Sequence, residues 1–157
     1  MMRWPTLFLL LVATGVHAET VTGNVISISD GDTLTILDAR TRQHIIRLAE
    51  IDAPERGQPF ATQSRRSLSA LCLKKPARVE WQERDGHKRY IGRVTCDGVD
   101  ANAEQVRRGM AWVSPQSTTP GSPLFDLEAY ARLRAIGLWK DDDPVPPWTW
   151  RAAKGAR

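Results

Sequence analysis

The sequence predicts an α+β domain: a small five-stranded barrel with three helices packed against it. Three observations lead there. Five short runs of β-branched and aliphatic residues are punctuated by turn pairs such as Asp30-Gly31 and Asp97-Gly98. Between the third and fourth runs, and again after the fifth, the apolar period lengthens from that of a strand to that of a helix. The first three runs are joined tightly, so they form a meander, and a strongly twisted meander curls into a barrel.

Residues 21–28 read Val-Thr-Gly-Asn-Val-Ile-Ser-Ile, a strand with partial alternation. Asp30-Gly31 turns the chain, and residues 34–37 resume it through Leu34, Ile36 and Leu37. Residues 39–43 are a polar turn, and residues 44–51 the third strand, with Ile45, Ile46 and Leu48. Pro54, Gly57 and Pro59 mark 52–59 as loop. In 60–73, Phe60, Leu68, Leu71 and Cys72 share a helical face, with Arg66 opposite. Residues 77–82 and 89–96 are the last two strands, joined by the charged turn 83–88. Asp100 or Asn102 caps a short helix that runs to Arg108 and ends at Gly109. The third helix covers 124–136 and stops at Gly137. An OB-type barrel fits this order, which is also compatible with other α+β folds.

The ends read differently. Residues 1–18 carry Arg3, an apolar heart at 7–12 and the small-x-small site Val16-His17-Ala18: a signal peptide, expected to be removed before Glu19. An uncleaved N-terminal anchor is the alternative, although the apolar run is short for a bilayer span. No cysteine stands at the cleavage point for lipid attachment. The domain is expected over 19–140, with 141–157 as a Pro/Trp-rich tail. There Pro144, Pro146 and Pro147 oppose helix while Trp148 and Trp150 favour burial, so an extended segment laid over the domain is expected. The localisation expected is periplasmic or secreted, without stable membrane association after processing.

Removing 1–18 deletes Arg3 and no acid, which lowers the formal charge of the 157-residue chain from +4 to +3. That is compatible with a polyanionic partner but is weak evidence for one. Export permits a disulfide between Cys72 and Cys96, two buried thiols being the alternative. The bridge would close a loop of about 25 residues and contribute roughly 3 kcal/mol through chain entropy. Nothing in the sequence signals an oligomer, and a monomer is expected.

Two acidic segments carry the chemistry: Asp30-Gly31-Asp32-Thr33 and Asp52-Ala53-Pro54-Glu55, with Arg47 shortly before the second. Each is weak alone, since Asp-Gly is a common hairpin turn and Asp-x-Pro a common loop start. Together they gather carboxylates, which repel one another unless a cation joins them. Asp32 and Asp52 are candidate ligands of one hard divalent ion, with the carbonyl of Ala53 as a third oxygen. Glu55 is close enough to orient or deprotonate a water acidified by that ion. A phosphodiester under attack gains charge on its equatorial oxygens, and the arginine fork meets two such oxygens at once.

These residues resemble the staphylococcal nuclease family. The resemblance covers residues 21–138 and rests on several motifs: Asp-Gly-Asp-Thr at 30–33, Arg-Leu-x-x-Ile-Asp-Ala-Pro-Glu at 47–55, and Asp-Gly-Val-Asp-Ala-Asn at 97–102. It continues through Val-Arg-Arg-Gly-Met-Ala at 106–111, Gly-Leu-Trp at 137–139 and the Pro-Val-Pro-Pro-Trp-x-Trp tail. It implies an OB-fold barrel and Ca²⁺-dependent hydrolysis of DNA and RNA with little base specificity, leaving 3′-phosphate ends. It implies Asp32, Asp52 and the Ala53 carbonyl as calcium ligands and Arg47 and Glu55 as catalytic residues. The second catalytic arginine matches Arg89 when counted back from Asp97-Gly98, with Arg93 of the Gly92-Arg93 pair as the alternative and a candidate substrate contact. The chain also departs from the family pattern. His87 stands where the family has tyrosine, Gly86 replaces a basic residue, and Ser-Pro-Gln-Ser at 114–117 replaces base-flanking tyrosines. Trp112 or His87 is then the candidate stacking face.

Two other classes compete. A non-catalytic OB-fold nucleic-acid-binding module needs basic and aromatic residues but gains nothing from acids facing phosphates. A secreted interaction domain would use the Trp-rich tail as its contact surface.

Overall fold

The computed structural model describes residues 19–155; the leader expected at 1–18 lies outside them. Strands β1 (Glu19–Ile28), β2 (Thr33–Leu37) and β3 (Gln43–Leu48) form the predicted meander. β5 (Pro76–Arg84) and β6 (Tyr90–Cys96) complete the sheet in the order β3-β2-β1-β5-β6. Its two edges meet through a parallel pairing of β3 with β6, Ile46 opposite Tyr90 and Leu48 opposite Gly92, which closes the five-stranded barrel. β1 serves both halves. Its end pairs with β2 and its beginning with β5, and a bulge between Val25 and Ser27 bends it around the corner. Leu34, Ile36, Ile46, Leu48, Val79 and Val94 fill the interior.

Helix α1 (Ala61–Cys72) turns Leu68, Leu71 and Cys72 onto this core. Phe60 does not join that face. It precedes the helix in a left-handed conformation (φ 64°) and packs on a separate cluster. The expected disulfide is present, tying the buried end of α1 to the end of β6. Helix α2 (Ala101–Arg107) is capped by Asp100, whose carboxylate accepts from the Ala103 amide at 3.0 Å. Asn102 is a buried strut: its side chain accepts from the Val94 amide and donates to the Ala49 carbonyl, both at 2.9 Å.

Three further expectations are corrected. The strand expected over 44–51 breaks after Leu48. Glu50 takes a left-handed conformation (φ 63°), and a separate two-residue strand, β4 (Ile51–Asp52), pairs with β8 (Trp112–Val113); a further short strand, β7 (Val99–Asp100), extends β6. The last helix expected, α3 (Leu124–Leu133), stops before Gly137, and a 3-10 turn (Gly137–Lys140) follows. The tail is not wholly extended, because α4 (Pro147–Gly155) gives the described residues a fourth α-helix. Pro147 opens it, where a missing N–H costs nothing and the fixed φ suits the first turn. Trp148 packs on the cluster of Trp112, Ala131, Leu138 and Trp139. No helix among the described residues is long and apolar enough to cross a membrane.

Candidate active site

The break after Leu48 positions the site. The turn at Glu50 redirects the chain so that Asp52, buried in β4, faces Asp32 across the barrel's end. The loop holding Asp32 is braced from beneath: the Gln105 side chain donates to the Gly31 carbonyl at 2.7 Å, and the Leu48 amide donates to the Asp32 carbonyl at 2.8 Å. Gly31 has no alternative, because a Cβ there would lie 1.8 Å from the Ser64 hydroxyl and 2.7 Å from the Ala53 Cβ.

Asp32 is 3% exposed, and its carboxylate accepts from the Ala53 amide at 2.8 Å, from Arg47 Nη1 at 2.9 Å and from the Thr33 hydroxyl at 3.0 Å. Arg47 also reaches Asp52 Oδ1 through Nη2 at 3.1 Å, so one guanidinium bridges both aspartates. Burial pushes the Asp32 carboxyl up to about 7; Arg47 opposes this, while Asp30 and Asp52 add to it. Burial alone would lower the Arg47 pKa, but the two aspartates outweigh it and hold the guanidinium charged.

Asp30, Pro54, Glu55, His87 and Arg89 line the same cleft. Arg89 stands just before β6, its Nε donating to Asp85 at 2.7 Å. Asp85 also accepts the Arg89 amide at 3.0 Å and the His87 amide at 2.9 Å, which ties the turn to the cleft wall. Arg93 is elsewhere: its guanidinium pairs with Asp100 at 2.9 Å and lines a different groove, with Glu80 and Glu83. Trp112 is 3% exposed and packs edge-on against Trp139, so the stacking role expected of it is corrected to core packing. His87 remains exposed beside the cleft.

One cleft residue was not anticipated from sequence. Arg151, on α4, grips Asp52 with both nitrogens, at 2.7 and 3.2 Å, and Glu55 Oε1 at 2.6 Å. Its only sequence signal was the Pro146-Pro147 step, which can start a helix as well as oppose one.

The donor set suits a hard divalent cation. Asp32 is a buried carboxylate, and Asp52, also buried, shares with it the guanidinium of Arg47. Among the described residues no three acidic, His or Cys side chains gather as a ready metal cage. Asp32 and Asp52 would supply two of the roughly six to eight oxygens such an ion takes, with backbone carbonyl and water completing the set.

A closed five-stranded barrel carrying acids and arginines at one end defines the class, and residues 45–141 match the model of the staphylococcal nuclease homologue family. The chain belongs to that family. It is 38% identical to an uncharacterized endonuclease of Escherichia coli O157:H7, over 98% of this chain and all of the relative. It is 38% identical to an uncharacterized endonuclease of Haemophilus influenzae, over 91% of this chain and 82% of that one. A micrococcal nuclease of Shigella flexneri is 36% identical, over 83% of this chain and 80% of its own.

Proposed function

We propose that this protein is an exported nuclease that hydrolyses phosphodiester bonds of DNA and RNA with little base specificity. The observation that carries the reading is the convergence of Asp32, Arg47, Glu55 and Arg89 on one open cleft, in a chain whose relatives are named nucleases. Glu55, with its side chain 39% exposed, accepts the proton of the attacking water at the cleft mouth. Arg47 and Arg89 exchange their carboxylate partners for the equatorial oxygens of the phosphate as charge builds there. His87 and the turn around Asp85 border the path of the chain next to the scissile bond. Asp32 and Asp52, with the Ala53 carbonyl, would hold one divalent ion, Ca²⁺ by family resemblance. Once bound, such an ion supplies Lewis acidity and lowers the pKa of water. The water oxygen bonds to phosphorus as the bond to the 5′ oxygen breaks, and the departing oxygen takes a proton from solvent, giving a 3′-phosphate and a 5′-hydroxyl. Export is supported by the leader pattern at 1–18 and by the Cys72–Cys96 bridge.

The test is a metal-by-substrate assay on purified residues 19–157. Cleavage of plasmid and single-stranded DNA with Ca²⁺, abolished by EDTA, is expected. Binding without cleavage under every divalent ion would instead favour a non-catalytic OB-fold module.

A further inference from the structure

We propose that Arg151 is a third phosphate-binding guanidinium of the cleft, delivered by the C-terminal helix; this rests on the nuclease reading above. Arg151 lies beyond the residues that match the family model, 45–141. It is placed on Asp52 much as Arg47 is. Arg47 approaches Oδ1 from the barrel, while Arg151 meets both carboxylate oxygens from the helix. Its guanidinium donates to Glu55 as well, so it spans the two carboxylates at the cleft mouth.

The placement is anchored. Gln58 takes the Glu55 amide on its side-chain oxygen at 2.9 Å and donates through Nε2 to the Val145 carbonyl at 2.5 Å. One side chain thus joins the Glu55 loop to the segment that enters α4. Pro147 is buried and Trp148 packs on the tryptophan cluster, fixing the helix from its other side. The Arg151 side chain itself stays 46% exposed, able to turn from the carboxylates to an incoming anion.

Charge supplies the reason. Asp30, Asp32, Asp52 and Glu55 line or adjoin the cleft, and a polyanion must approach them. Among the described residues Glu55 has no other ion-pair partner than Arg151. A guanidinium here neutralises the carboxylates while the cleft is empty and offers its fork to a phosphate oxygen when a strand enters. The ligand is the sugar–phosphate backbone of a nucleic-acid strand.

Binding of a fluorescent single-stranded DNA octamer in EDTA, followed by anisotropy across a salt series, tests this without turnover. Arg151→Ala is expected to weaken binding about tenfold and to reduce the slope of log affinity against log salt by about 0.7, the value for one lost phosphate contact on a single strand. Arg151→Lys, which keeps the charge and loses the fork, should fall between the two and reports even if the alanine chain fails to fold. Equal or tighter binding by both variants would overturn the proposal and make Arg151 a plug. A wild-type chain that cuts DNA while Arg151→Ala binds and cuts equally well defeats this inference alone. Arg151-dependent binding by a wild-type chain that never cuts supports it and defeats the nuclease reading.

Discussion

Asp52 is gripped by guanidinium groups from two sides, and Glu55 by one, so single substitutions at the cleft should separate binding from chemistry. Glu55→Gln is expected to lower kcat by about two to four orders of magnitude with little change in KM, as loss of a general base does. Arg47→Ala should cost a similar factor, roughly that of one removed oxyanion donor. Single-turnover assays on a labelled oligonucleotide distinguish these from effects on product release. Away from the cleft, Asp38 accepts from the His44 ring at 2.9 Å and from the Arg42 and Arg40 amides. The His44 hydrogen bond, followed by the Arg42 amide, holds its carboxyl well below the usual range. A depressed carboxylate stabilises the fold above its unfolded value of 3.8, and that contribution is lost as pH falls toward the folded value. Asp38→Asn should therefore lower Tm at about pH 7 and lose its difference from wild type in strong acid, as thermal melts across pH would read. At this scale Asp32, Arg47, Asp52 and Glu55 were legible, because short motifs carry them and a strand pairing joins those motifs. Trp112 was misleading, since an aromatic after a helix reads the same whether it stacks on a base or fills a core. Arg151 was hidden, because its approach depends on how the tail packs and not on its neighbours in sequence.

Elements, more than residues, decide whether the cleft exists. The barrel strands were readable from alternation, but the break at Glu50 was not. A left-handed residue other than glycine leaves no compositional mark, and the apolar pattern runs through it. The end of α2 is joined to the 3-10 turn by two glycines packed backbone to backbone. A Cβ on Gly109 would lie 2.1 Å from the Ile136 carbonyl oxygen, and one on Gly137 would lie 2.2 Å from that of Gly109. Both have positive φ, 61° and 60°. Gly109→Ala should thus cost at least about 2 kcal/mol, combining the left-handed penalty with overpacking. Urea denaturation would read it as a lower midpoint at unchanged m. The disulfide from α1 to β6 closes a sequence separation of 24 residues. Replacing both cysteines with serine should remove about 3 kcal/mol, and reducing agent should then have no further effect. The fourth helix escaped the sequence reading for a specific reason: proline opposes helix everywhere except the first turn, and Pro147 occupies it.

For the whole molecule, the proposed ion and the fold are thermodynamically linked. A ligand bound only by the folded chain raises its stability, by about 2.7 kcal/mol at a hundred times its Kd. Calcium should then raise Tm in wild type and do so much less in Asp32→Asn, which calorimetry with and without EDTA would show. The order of elements made an OB-type barrel legible, yet the pairing that closes it was not, because parallel contact between two distant strands leaves no local signature. That seam has a temporal consequence. It joins residue 46 to residue 90, and it carries Arg47 on one edge with Arg89 just ahead of the other. Such distant contacts form slowly, because the chain must close a long loop before they repay its entropy. The two arginines therefore meet only when the barrel shuts. In refolding, recovery of cleavage should lag behind recovery of β-sheet circular dichroism. A half-made chain carries every motif of the family and none of the cleft those motifs build.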